Sequence, residues 1–242
     1  MRLRLWDGVR AFFGGCGFII TTPRVWGYAM VPVVVATMIG SIIGVLGMWA
    51  SWHAASALFG GDSGAAEAGR WIIAVLLGIV AVLVALIVAL SLAQPFSGFA
   101  IDAIVRRQEQ ALGSKGAWPD QKFSEQLFRS LRVNLTALAI GLPIIAVLFG
   151  IEILAPPAAV VTIPLKFVVT ALMVAWDFLD YPLGLRGAGV SARLAFVGKH
   201  FWAVLVFGSL GAFVLLVPGL GLFLLPMGAA GATRMVLESE RA

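Results

Sequence analysis

From Trp71 to Leu92 the sequence runs for 22 residues without one charged side chain, and nearly all of them are Leu, Ile, Val or Ala. At 1.5 Å per residue such a run makes a helix of about 33 Å. That is enough to cross a hydrocarbon core about 30 Å thick. The remainder is of the same character: 61% of the 242 residues are hydrophobic, 12% are charged, and the mean hydropathy is +1.01. A soluble domain of this size has too little interior to hide that much apolar surface. The chain is therefore predicted to be an all-α integral membrane protein forming a single membrane domain over residues 1–242.

Taken in order, residues 2–20 read as an interfacial helix. Leu5, Val9 and Phe12-Phe13 recur at helical spacing, while Arg2, Arg4, Asp7 and Arg10 supply the polar part. Asp7 and Arg10 interrupt the apolar pattern, and no small-residue cleavage site follows, so the segment does not read as a signal peptide. A transmembrane helix is expected over 24–58, with Pro32 as its kink. Gly60-Gly61-Asp62-Ser63-Gly64 is the clearest polar break in the chain. A second, long kinked transmembrane helix is expected over 71–111, interrupted at Gln94-Pro95-Phe96-Ser97-Gly98. Phe123, Leu127 and Leu131 form a stripe beside Arg129 and Arg132, which makes 121–133 a short amphipathic helix.

Two apolar hairpins follow, over 134–181 and 192–236. Their turns, Ala155-Pro156-Pro157-Ala158 and Val217-Pro218-Gly219-Leu220-Gly221, carry no polar side chain. A turn in water usually shows Asp, Asn, Ser or Lys. These turns are therefore expected to stop inside the membrane as re-entrant hairpins, where protein must bury the irregular backbone.

Fifteen of the seventeen Lys and Arg residues fall in the N-terminal segment, in 97–133, in 182–200 or in the C-terminal tail. The loop at 59–70 holds only Arg70, and Lys166 lies in a hairpin arm. The distribution places both termini in the cytoplasm. Spread along loops in this way, the net charge of +5 sets orientation and does not indicate a nucleic-acid partner.

Few side chains carry candidate chemistry. Arg24 follows Pro23 at a helix start, where free N–H groups favour anions; the bland reading is an arginine snorkelling to lipid phosphate. At the 94–98 break, Pro95 frees a backbone carbonyl, and Gln94 and Ser97 offer polar groups to a solute; the alternative is a kink that fits neighbouring helices. Asp177 and Asp180 share a helix face, with Pro182 expected to end the helix at Tyr181. They are candidate gating acids, or structural acids that end the helix and pair with Arg186, Arg193 or Lys199. Glu152 and Lys166 are placed to pair across the arms of the first hairpin. No acid or cysteine spacing around His53 or His200 points to a metal, and the lone Cys16 excludes an intrachain disulfide. No nucleophile–base pair or phosphate loop occurs, so neither an enzyme nor a cofactor is expected.

Four landmarks occur in order: Pro23 with Pro32, Ala93-Gln94-Pro95-Phe96-Ser97-Gly98, Asp180-Tyr181-Pro182, and Pro226-Met227-Gly228-Ala229-Ala230-Gly231-Ala232-Thr233. Together they resemble the CysZ-like sulfate permeases and the wider etoposide-induced membrane-protein family. The resemblance implies a bacterial inner-membrane protein with two long transmembrane helices and two hemi-penetrating hairpins. It also implies an oligomer that moves a sulfate-like anion. Where the resemblance would place two anion-binding arginines, this chain has Trp26 and Gly27. The leading expectation is an ATP-independent transporter or channel for a small inorganic anion, with membrane lipid and further copies of the chain as its other partners. The alternative is a membrane scaffold of the same family without transport activity.

Overall fold

The computed structural model describes residues 2–61, 63–114, 123–217 and 220–241, and all regular structure among them is helical. The elements are α1 (Leu5–Thr21), α2 (Pro23–Ala29), α3 (Val31–Leu58), α4 (Gly64–Phe96), α5 (Gly98–Ala111), α6 (Phe123–Leu154), a 3-10 turn (Pro156–Ala158), α7 (Ala159–Leu185), α8 (Val190–Lys199), α9 (Phe201–Leu215) and α10 (Gly221–Arg241). Four stretches are long and apolar enough to cross a bilayer: Pro23–Leu58, Gly64–Leu90, Leu135–Leu154 and Pro156–Leu185. A bent apolar pair, α8 with α9 at 97°, would make a fifth if counted as one span. The chain is an all-α membrane protein. It divides into two compact units, Met30–Gly98 and the remainder, Met1–Ala29 with Phe99–Ala242.

The unit Met30–Gly98 is an antiparallel pair of long helices, α3 and α4. Small residues face one another along its length: Gly40 meets Ala89, Gly44 meets Ala85, and Gly47 meets Ala81. At Gly47 a Cβ would stand 2.7 Å from that of Ala81, so only glycine allows the backbones this close. Trp52 and Trp71 pack edge to face, 5.1 Å apart, near the loop end of the pair. Pro32 does not kink the middle of a helix. The break falls at Met30, and Pro32 sits in the first turn of α3, where its missing N–H leaves no intrahelical bond unmade.

In the other unit α1 lies against α9 and α10, α7 packs on α6, α9 and α10, and a core forms around Phe207. Phe12 and Phe178 each meet the Phe207 ring edge-on, with centroids 6.0 Å away. A Cβ on Gly208 would run into the Ala171 carbonyl, so α7 and α9 touch backbone to backbone there.

Two structural results bear on the site. The helix that carries Asp177 and Asp180 does not stop at Tyr181: α7 continues through Pro182 to Leu185. Burial of Leu179, Leu183 and Leu185 outweighs the local preference of the residue before proline. The actual stop is Gly187, at φ 73°, with Gly187 N–H donating to Gly184 and Ala188 N–H to Leu183. This is the paired C-terminal motif that needs a residue in the left-handed region.

The second result concerns the hairpins. One arm of the second is short: α9 has 15 residues, about 22 Å, against a core of about 30 Å. The arms of the first are long enough to cross, yet Ile153, Leu154 and Val160 beside its turn are 78%, 88% and 80% exposed. Apolar side chains so open suit hydrocarbon, and arms of this length are compatible both with crossing and with tilting beneath a buried tip.

Candidate functional site

Arg24 is the second residue of α2, a helix of seven residues held on both sides. The Trp26 indole N–H donates to the Ile19 carbonyl at 2.8 Å, and Val25 N–H donates to Thr22. From 83 residues away, the Arg107 guanidinium of α5 donates to the backbone carbonyl of Arg24 and lies over the Tyr28 ring, 4.7 Å from its centroid. The Arg24 side chain itself is exposed. Two arginines therefore stand at α2, one on it and one reaching it. Of the two, only Arg24 stands beside a helix start in the sequence; Arg107 lies in a basic pair, Arg106-Arg107, that nothing local ties to α2.

Ser97 lies between α4 and α5. Its N–H continues the helical pattern by donating to Ala93 at 3.0 Å. Its side chain is fully buried, and its hydroxyl has no hydrogen-bond partner among the described residues. The side chain of Gln94 lies outside the described residues. Ser97 belongs to the Met30–Gly98 unit and Arg24 to the other.

The two acids of α7 differ. Asp180 is buried and ion-paired with Arg193 of α8, which is 2% exposed and also donates from Nε to Ala188 at 3.1 Å. Asp177 is half-buried and makes no ion pair among the described residues. Arg186 joins three helices: it meets Glu109 of α5 at 2.5 Å and Glu240 of α10 at 2.7 Å, and it donates to the Pro182 carbonyl at 3.0 Å. Burial alone would lower its pKa, but hydrogen bonds and charge from Glu240 and Glu109 more than offset this and raise it. Arg186 is thereby held firmly charged. In the first hairpin Lys166 pairs with Glu152 across the arms, its ammonium 4.0 Å from the centroid of the Phe149 ring. Among the described residues no three His, Cys, Asp or Glu side chains gather as a metal site would require.

Residues 11–226 match the profile of the family described as Sulfate transporter CysZ/Etoposide-induced protein 2.4. The chain belongs to this family. Curated relatives include the sulfate transporter CysZ of Pseudomonas paraeruginosa, 28% identical over 156 residues, or 63% of this chain and 61% of that protein. The protein of the same name from Pseudomonas syringae pv. tomato is 28% identical over 153 residues, covering 61% and 57%. That of Pectobacterium atrosepticum is 27% identical over 153 residues, covering 62% and 54%. The chain thus spans little more than half the length of these curated relatives. This chain is multi-pass by its own four apolar stretches, and relatives named as sulfate transporters are the setting in which the α2 arginines and the α7 acids are to be read.

Proposed function

We propose that the protein moves a small inorganic anion, sulfate-like in size and charge, across the bacterial inner membrane. It does so without ATP, as a homo-oligomer with both termini in the cytoplasm. The observation that carries this reading is that Arg107 reaches α2, the helix that already carries Arg24, by donating to the Arg24 backbone carbonyl. Two guanidinium groups suit an oxyanion, because each offers a planar fork of donors to paired oxygens. Arg107, held over Tyr28 and bonded to the Arg24 carbonyl, brings a second cation to α2, where the sequence has Trp26 and Gly27. The buried hydroxyl of Ser97, without a partner among the described residues, supports a polar path at the 94–98 break, since an unmet buried hydroxyl costs about 1–3 kcal/mol. Gln94 is assigned to the same path. Asp177, without an ion pair among the described residues, takes the gating role, and Asp180 holds the fold.

Titration of sulfate into detergent-solubilised protein tests the arginine assignment. Arg24→Ala weakens binding by about tenfold or more, the equivalent of about 1.5–3 kcal/mol for a charge-assisted bond. Arg24→Lys keeps the charge, loses the fork and falls between. Arg107→Gln weakens binding comparably. Equal affinity in all three variants would remove α2 from the site and favour the scaffold reading.

A further inference from the structure

The amphipathic helix α1 has an inner face that is fully accounted for. Gly8 sits against the Ala203 backbone of α9, Gly15 sits against Met227 and Gly231 of α10, and Ala11, Phe12 and Ile19 are buried between them. The opposite face has no protein against it among the described residues. Trp6, Phe13 and Ile20 are 62%, 59% and 62% exposed. They recur every seventh residue, so on a helix they form one nearly straight stripe. Exposed Arg10 flanks this stripe, and exposed Arg2 and Arg4 lie at its N-terminal end. That end is fixed in place: Leu3 N–H donates to His200 Nδ1 at 3.0 Å, two residues before Trp202, which is itself 61% exposed.

We infer that this outward face of α1 docks anionic phospholipid, with Phe13 and Ile20 among the upper acyl chains and Arg2, Arg4 and Arg10 on headgroup phosphates. Tryptophans at the level of arginines are what a membrane–water interface selects. An in-plane helix with a basic polar part binds anionic lipid by buried apolar area and charge together. A second copy of the chain is a poor occupant. The one acid on α1, Asp7, is already used, accepting the Arg4 backbone N–H at 2.6 Å.

The test uses the full chain in nanodiscs. With Cys16→Ser in place, a spin label on Phe13→Cys should be relaxed strongly by oxygen and weakly by a water-soluble nickel reagent. Strong nickel access would put the face in water, and dipolar broadening between labels would put a second copy on it; either result overturns the inference. In detergent, the unaltered protein should bind short-chain phosphatidylglycerol in preference to short-chain phosphatidylcholine. Affinity for phosphatidylglycerol should fall about fivefold for each of Arg2, Arg4 and Arg10 changed to Gln, the fold-change expected of one arginine at an anionic surface. Equal binding of the two lipids by the unaltered protein overturns the anionic specificity, whatever becomes of the variants. Neither readout involves flux, so the lipid face and the transport reading stand or fall separately.

Discussion

The Asp180 carboxylate and the Arg193 guanidinium meet inside the helical core, 13 residues apart in sequence, with Arg193 2% exposed. The pair ties the end of α7 to α8 across the Gly187 turn. Removing one partner strands the other in a low-dielectric interior, which commonly costs 3–5 kcal/mol. Asp180→Ala should therefore lower the thermal unfolding temperature of the solubilised protein sharply. Asp180→Leu combined with Arg193→Met should recover most of the loss, because apolar side chains of similar volume can replace a buried pair. Unchanged stability in Asp180→Ala with lost flux would move Asp180 from the fold to the gate.

Lys166 and Glu152 bridge the arms of the first hairpin near its apolar tip. Here too the pair and its half differ. Glu152→Leu alone leaves an ammonium in hydrocarbon, so yield and melting temperature should drop. Glu152→Leu with Lys166→Met should be neutral, or stabilising by up to about 1–4 kcal/mol. A double variant that melts normally but loses flux would assign the pair to solute movement, not to the fold.

At the tip of that hairpin Ile153, Leu154 and Val160 are apolar and exposed, as a tip that stops in hydrocarbon requires. With Cys16 replaced, a cysteine at Ala158 should resist a membrane-impermeant thiol reagent added from outside, while one at Ser63 should react at once. Fast labelling at Ala158 would mean that the hairpin crosses the bilayer.

Much of the architecture was legible because in lipid the length and apolarity of a segment fix its class. The charge-free run at 71–92 lies in α4, where it packs against α3. The end of α7 was not legible: a rule about the residue before proline lost to burial of Leu179, Leu183 and Leu185, and the stop signal that mattered was Gly187. The sequence narrowed the partner of Asp180 to three bases, and only the turn geometry chooses Arg193. Arg107 at α2 was invisible, because nothing local in a chain indicates a contact 83 residues away.

The most direct test of the transport reading is uptake of labelled sulfate by liposomes holding the purified chain, with no ATP present. Sulfate should enter down its gradient faster than into protein-free vesicles, and Arg24→Ala and Arg107→Gln should each slow entry at low sulfate. Thiosulfate, phosphate and chloride run in parallel rank the selectivity. Well-folded protein that passes none of the four anions would contradict the account and leave a membrane scaffold in its place.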